Sequence, residues 1–310
     1  MKELTVSSYD VELYVQVHGS ENQPTIVFLH GFPDCHKTWH HQVETLKKDF
    51  QVVTFDMRGV GSSTWSAQRK AYRMNNMLAD IEAVINAVVG KEGKVHLVGH
   101  DWGSVIGWSF ISEAYYARRV LSYSSMSGPH LTLMLDWARR NLLSLQPTRL
   151  ARALKQGAFS WYVYLFNIPV LPESIFKTIG KTVWKTVLTK NGVATDDMYL
   201  DATQEDIEKI CLNPINLYRQ NPLNPPSIPG EKSIAVPVQL IIPTEDNFIS
   251  DKLFEFYDEY VIDLTRHTVG GKHWAHHSHK EKFNQLIIDF VNSIEHGTRS
   301  GIQPESEKVA

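Results

Sequence analysis

Residues 98–104, VGHDWGS, place Asp101 between Gly99 and Gly103. An apolar run, KVHLVGHD, precedes it and a helix-like stretch, WGSVIGWSFI, follows, so Asp101 falls on a sharp strand-to-helix turn. Such a turn lifts one side chain above the sheet edge, and small flanking residues permit the close packing it requires. A carboxylate held there is a nucleophile that attacks carbon and forms an ester. The same residue also reads as the N-cap of a helix beginning at Trp102, and G-x-D-x-G alone is too short to choose.

Two other segments bear on that choice. An enzyme nucleophile needs a base, and the base needs an orienting group; one known chain order is nucleophile, acid, histidine. Asp246 closes the strand-like VQLIIPTED, and His273 follows the strand-like TRHTVGG. Asp101, Asp246 and His273 therefore stand in the required order, each at a strand end where ligand-facing residues sit. Adjacent residues on a sharp turn are aimed apart, so His100 is not expected to be the base. The run HWAHHSHK adds His276, His277 and His279. With no second cluster of Cys or acid evident, these three are expected at the surface of a helix start, and no metal centre is expected.

The elements that must carry these residues follow from periodicity. Over the first 130 residues, short apolar runs at 25–31, 50–59, 94–101 and 120–128 alternate with helical patterns, such as Met77, Leu78, Ile81, Val84, Ile85 and Val88. Continuous apolar strands separated by helices imply an α/β protein with a mostly parallel central sheet covered on both faces. From Pro129 the alternation stops, and a mainly helical insert runs to the proline-rich QNPLNPPSIPG. Strands return at 236–246 and 265–271, and a last amphipathic helix carries Phe283, Leu286, Ile287, Phe290, Val291 and Ile294. The expected organisation is a core from 1–129 and 231–296, a helical lid over 130–230, and a polar, disordered tail from 297 to 310.

Bulk composition narrows the function classes. The 310 residues are 43% apolar and 21% charged, with a net charge of −3, which offers no basic surface for nucleic acid. Cys35 and Cys211 are too few and too far apart for a disulfide framework or a metal knuckle. No run approaches the roughly 20 apolar residues of a membrane span, and MKELTVSSYD lacks the apolar region of a secretory signal. A cytoplasmic protein is the expectation.

On these motifs the sequence resembles the epoxide hydrolase family of the α/β-hydrolase superfamily, from about Leu4 to Asn292. HGFP (30–33) resembles its oxyanion loop, DMRGVGSS (56–63) its D-x-R-G-x-G-x-S turn, GHDWGS its aspartate elbow and GGKHW its base motif. Asp246 matches the family's acid. The resemblance implies that the insert covers the active site and supplies two tyrosines that donate to the epoxide oxygen. SWYVYLFNIP (160–169) puts Tyr162 at the first position, with Tyr164 a near competitor, and INLYRQNP (215–222) puts Tyr218 at the second. A phenol with a pKa of about 10 stays protonated and can donate to a developing alkoxide.

The implied reaction is attack of Asp101 on a small hydrophobic epoxide, then hydrolysis of the ester by water activated by His273. Backbone N–H groups of Phe32 and Trp102 would meet the oxyanion, since Pro33 has no N–H. No cofactor and no metal are implied. Two rivals share the motifs. A haloalkane dehalogenase uses the same aspartate and histidine but needs N–H donors for the halide. Trp102 is one such donor, Phe32 stands where many of those enzymes have Asn, and Trp137, Trp161 or Trp184 are the available substitutes. A non-catalytic ligand receptor on the same fold is the other rival, against which every catalytic position holds a competent residue.

The insert is also polarised in charge. Residues 136–190 hold nine Lys/Arg against Asp136 and Glu173, while 196–208 hold six acidic residues and no base. Mutual pairing within the lid is the expectation. The alternative is a basic, aromatic-rich rim that accepts a lipid-like or anionic substrate or touches a membrane surface. SWYVYLFNIPVL is apolar enough to line a pocket.

Overall fold

Unbroken burial along the central strands shows that the sheet is covered on both faces. The computed structural model describes residues 1–297, so the tail beyond Gly297 lies outside the described residues. Eight strands form one sheet: β1 (Lys2–Ser8), β2 (Val11–His18), β3 (Thr25–Leu29), β4 (Gln51–Phe55), β5 (Val95–His100), β6 (Val120–Met126), β7 (Val238–Pro243) and β8 (Leu264–Val269). Their order is β1-β2-β4-β3-β5-β6-β7-β8. All pairings from β4 to β8 are parallel, whereas β2 pairs antiparallel with both β1 and β4.

In β3, Val27 and Leu29 face one side with Val53, Leu97 and the helix Met74–Val89; Ile26 and Phe28 face the other with Trp39, Leu46, Phe283 and Ile287. A strand buried on both faces reads as an unbroken apolar run, which is why β3, β4 and β5 were legible. The ELYVQVHG stretch alternates because β2 is buried on one face only. Its neighbour β1 closes the edge antiparallel, a strand that the apolar-run criterion does not find.

Between β6 and β7 the chain forms the helices Leu131–Leu142, Pro147–Phe159, Trp161–Asn167, Leu171–Lys190, Gln204–Cys211 and Ile215–Gln220. Their starts have local causes. Proline occupies the first turn of two of them, where its missing N–H has no partner to lose, and Thr203 with Asp206 forms a reciprocal capping box.

Parallel register then sets the stage for chemistry at one end of the sheet. Leu29 pairs with Gly99 and His100 with Met126, so the loop after β3 and the turn after β5 leave the sheet side by side. Pro243 pairs with Val269, so the segments bearing Asp246 and His273 also emerge as neighbours.

Candidate active site

Asp101 links β5 to the helix Trp102–Ser112 with φ 51° and ψ −122°. A non-glycine residue in that region costs about 1–3 kcal/mol, so its surroundings must hold it. Its N–H donates to the Met126 carbonyl at 3.1 Å, and its own carbonyl accepts from Val105 N–H at 2.9 Å. The two flanking glycines allow the turn to close: a Cβ on Gly103 would collide with the Leu29 carbonyl, and one on Gly99 would lie 2.7 Å from the Ser104 Cα.

Although Asp101 occupies the N-cap position, its side chain makes no capping hydrogen bond. Its Oδ1 instead accepts the Phe32 N–H at 2.8 Å, across 69 residues of sequence. The capping alternative therefore fails on geometry, since the carboxylate turns toward the loop after β3. Trp102 is the first residue of the helix, and its indole meets the Tyr218 ring edge-on at 5.0 Å.

His273 comes to the other carboxylate oxygen. Its Nε2 lies 3.6 Å from Asp101 Oδ2, while its Nδ1 lies 3.1 and 3.0 Å from the two oxygens of Asp246. Asp246 is itself fixed, because its Oδ1 accepts the N–H groups of Phe248 at 2.8 Å and Ile249 at 3.1 Å. Burial raises the proton affinity of the Asp246 carboxyl, but His273 and these two N–H donors outweigh it and hold the pKa below the usual carboxylate value. For His273, burial opposes the imidazolium, yet Asp246 and Asp101 prevail and its pKa is pushed up to about 10.

His100 turns away from the Asp101 carboxylate. Its Nε2–H donates to the His273 carbonyl at 2.9 Å and its Nδ1 lies 3.6 Å from Asp34 Oδ2. Asp34 is a site residue that the sequence reading missed. Fully buried, it accepts from Tyr199 Oη at 2.8 Å and Trp274 Nε1 at 3.0 Å, and so braces the segment that carries His273. In sequence it is only an acid following HGFP, which resembles any loop carboxylate.

Both tyrosines reach the same cavity as Asp101 and His273. Tyr162 lies in Trp161–Asn167 and Tyr218 in Ile215–Gln220, with their rings edge-on at 5.8 Å. Tyr164 is 72% exposed and outside the cavity lining, so it is Tyr162 that shares the cavity with Asp101. Burial first, and the Asp101 charge second, raise the pKa of both phenols, which keeps them protonated donors. Phe32, Leu165, Ile175 and Phe176 complete an overwhelmingly apolar wall.

The three insert tryptophans separate. Trp137 packs in a satellite cluster with Ala153 and Leu253, away from the cavity. The Trp184 N–H donates to the Pro33 carbonyl at 2.8 Å and is thereby engaged. Trp161 lines the cavity from an exposed position.

Other motifs resolve as framework. In DMRGVGSS, Asp56 accepts from the N–H of His36 at 2.8 Å and of Ser62 at 2.9 Å. Arg58 makes a buried bidentate pair with Asp80 at 2.6 and 2.7 Å. Two expectations are corrected. His276 and His277 are buried, not surface residues, because the short helix Ala275–Ser278 packs against the first core helix, His40–Leu46, and Thr38. Nor do the basic and acidic runs of the insert pair with each other among the described residues. Asp136 pairs with Arg140, Glu173 with Arg219, Glu205 with Lys209, and Asp197 with histidines of the core.

Comparison with known proteins gives the fold family. A family model described as "alpha/beta hydrolase fold" matches residues 24–280. "Probable oxidoreductase EphD" of Mycobacterium tuberculosis is 28% identical over 297 residues, covering 94% of this chain but 50% of its own, so the chain spans half the length of that relative. "Epoxide hydrolase 4" of Mus musculus is 27% identical over 288 residues, covering 88% of this chain and 74% of its own. Among solved structures, a mutant epoxide hydrolase from Bacillus megaterium superposes with a TM-score of 0.76 at 24% identity, over 94% of this chain and 100% of that one.

Proposed function

For a chain that belongs to the α/β hydrolase fold family, we propose that Asp101 opens an epoxide and that His273 hydrolyses the resulting ester to a vicinal diol. The observation that carries this reading is the division of labour at Asp101: Oδ1 accepts the Phe32 N–H while Oδ2 is left to the cavity and to His273.

Asp101 Oδ2 attacks an epoxide carbon, the carbon–oxygen bond breaks, and Tyr162 and Tyr218 donate to the departing oxygen, leaving a hydroxyalkyl ester. Forming the ester cancels the Asp101 charge, one of the two that hold a proton on His273. The proton affinity of His273 then falls, and the proton it releases replaces the one given up by the tyrosines. Neutral His273, oriented by Asp246, next takes a proton from water, and the hydroxide adds to the ester carbon of Asp101. Oδ1 becomes the oxyanion and remains on the Phe32 N–H, with the Trp102 N–H as second donor. Collapse expels the diol and restores the carboxylate. No step uses a cofactor or metal.

The dehalogenase alternative keeps only Trp161 among its substitute donors, since Phe32 offers no side-chain N–H, Trp137 lies elsewhere and Trp184 is engaged. The names of the relatives, several of them epoxide hydrolases, support the carbon–oxygen reading. Diol formation from aromatic, terpenoid and fatty-acid epoxides, measured beside halide release from haloalkanes, tests the choice.

The surface of the insert supports a partner as well as a substrate. Leu143 is 74% exposed and Leu145 fully so, and Leu154, Trp161, Val170 and Ile179 are also in solvent. Arg139 lies on Leu131–Leu142, just before Leu143, and Arg149, Arg152 and Lys155 lie on Pro147–Phe159 with Leu154. Apolar side chains among cations suit peripheral contact with an anionic bilayer, from which an apolar epoxide would enter the cavity. Among the described residues no helix is long and apolar enough to cross a membrane.

A further inference from the structure

We propose that His40, His41, His277 and Asp197 form a site for one divalent transition-metal ion of the zinc class, which ties the helical insert to the core. These residues come from three distant segments. His40 and His41 open the helix His40–Leu46, His277 lies in Ala275–Ser278 four residues after His273, and Asp197 precedes the turn Met198–Asp201 of the insert.

One ligand atom from each of the four lies within 4.8 Å of the others. Asp197 Oδ2 is 3.0 Å from His41 Nε2 and 3.2 Å from His277 Nδ1, and Asp197 Oδ1 is 3.4 Å from His40 Nε2. A tetrahedral ion with bonds of about 2.0–2.1 Å has ligands about 3.3–3.4 Å apart, a spacing that the three carboxylate–imidazole separations approach. Three imidazoles and one carboxylate make a closed set of nitrogen and oxygen ligands, which suits zinc better than magnesium or calcium.

Partners on the far side of His40, His277 and Asp197 orient these ligands. His40 Nδ1–H donates to the Lys37 carbonyl at 3.1 Å, which leaves the Nε2 lone pair for the cluster. His277 Nε2 meets Thr38 Oγ1 at 3.1 Å, which leaves Nδ1. Asp197 Oδ1 accepts the Tyr199 N–H at 2.9 Å, which fixes the carboxylate plane. Such outer contacts orient metal ligands and raise their basicity. Access is also present: the Asp197 and His277 side chains are 4% and 1% exposed and form a floor, while His40 and His41, at 21% and 23%, form the rim. The cluster is separate from the catalytic cavity, whose lining contains none of the four.

The test uses the full chain without a histidine tag, stripped by chelator and titrated with Co²⁺ and then Zn²⁺. The expected result is one Co²⁺ per chain with the intense visible bands of a four-coordinate ion, displaced by one Zn²⁺ that raises the Tm. His40→Ala/His41→Ala, and independently Asp197→Asn, should abolish both signals without changing the far-UV spectrum. Thr38→Val should weaken Zn²⁺ binding about 10-fold or more, and Asp101→Asn should bind as the parent does. Failure to bind, a weak six-coordinate spectrum, binding that survives the double substitution, or binding lost in Asp101→Asn would each overturn the proposal.

Discussion

The Nε2 of His273 lies 3.6 Å from Oδ2 of Asp101, so the two residues form an ion pair across the turn that joins β5 to its helix. That distance is long for a hydrogen bond and leaves the carboxylate oxygen open toward the cavity. The Asp101 carboxylate, with Asp246, favours the imidazolium form of His273.

This coupling gives stability a definite pH dependence. The pKa of His273 is pushed up to about 10 in the fold, against 6.5 as the ordinary value. A raised pKa stabilises the fold fully below about 6.5 and progressively less as pH climbs toward about 10. The Tm gap between the parent and His273→Gln should be widest below pH 6.5 and shrink steadily up to pH 10. A gap that widens with pH would show that His273 is not held as the imidazolium.

The tyrosine pair distinguishes a departing alkoxide from a departing halide. Tyr162→Phe and Tyr218→Phe should each lower kcat for diol formation by about 10²-fold, the usual scale for one general acid, and the double variant should fall further. Tyr164→Phe, altered in solvent, should leave kcat unchanged. Equal losses in all three variants would remove the tyrosines from the chemistry.

Arg58 tests the framework that ties the segment after β4 to the helix Met74–Val89. Its guanidinium is fully buried against Asp80, and removing one partner of such a pair strands the other charge. In urea unfolding, Arg58→Met should lose about 3–5 kcal/mol, and adding Asp80→Leu should recover most of it. No recovery in the double variant would mean that the arginine acts through packing alone.

How much of this was legible depended on how local the cause was. The elbow, the strand ends and the order Asp101, Asp246, His273 could be read because glycine spacing and apolar runs are properties of short segments. The histidines at 276 and 277 were misread because their burial comes from contacts with Thr38 and Gln42, more than 230 residues earlier. Asp197 was assigned to pairing within the insert for the same reason: its partners His40, His41 and His277 lie on core elements that only the fold brings near. Choosing Tyr162 over Tyr164 needed the orientation of one seven-residue helix, which two aromatic residues at i and i+2 do not specify.

The exposed leucines of the insert predict lipid binding. The protein should pellet with anionic vesicles at low salt and dissociate at high salt, because the cations are screened over about 10 Å at 0.1 M. Leu143→Ser/Leu145→Ser should lose most of the bound fraction without loss of diol formation on a soluble epoxide. No pelleting at low salt would remove the bilayer as a partner.

The central claim is a covalent ester on Asp101, and intact-mass measurement of His273→Gln treated with an epoxide tests it most directly. The account predicts a stable gain of one epoxide mass, located by peptide mapping on Asp101 and lost in His273→Gln/Asp101→Asn. An unmodified His273→Gln protein that still forms diol, or an adduct on another residue, would contradict it.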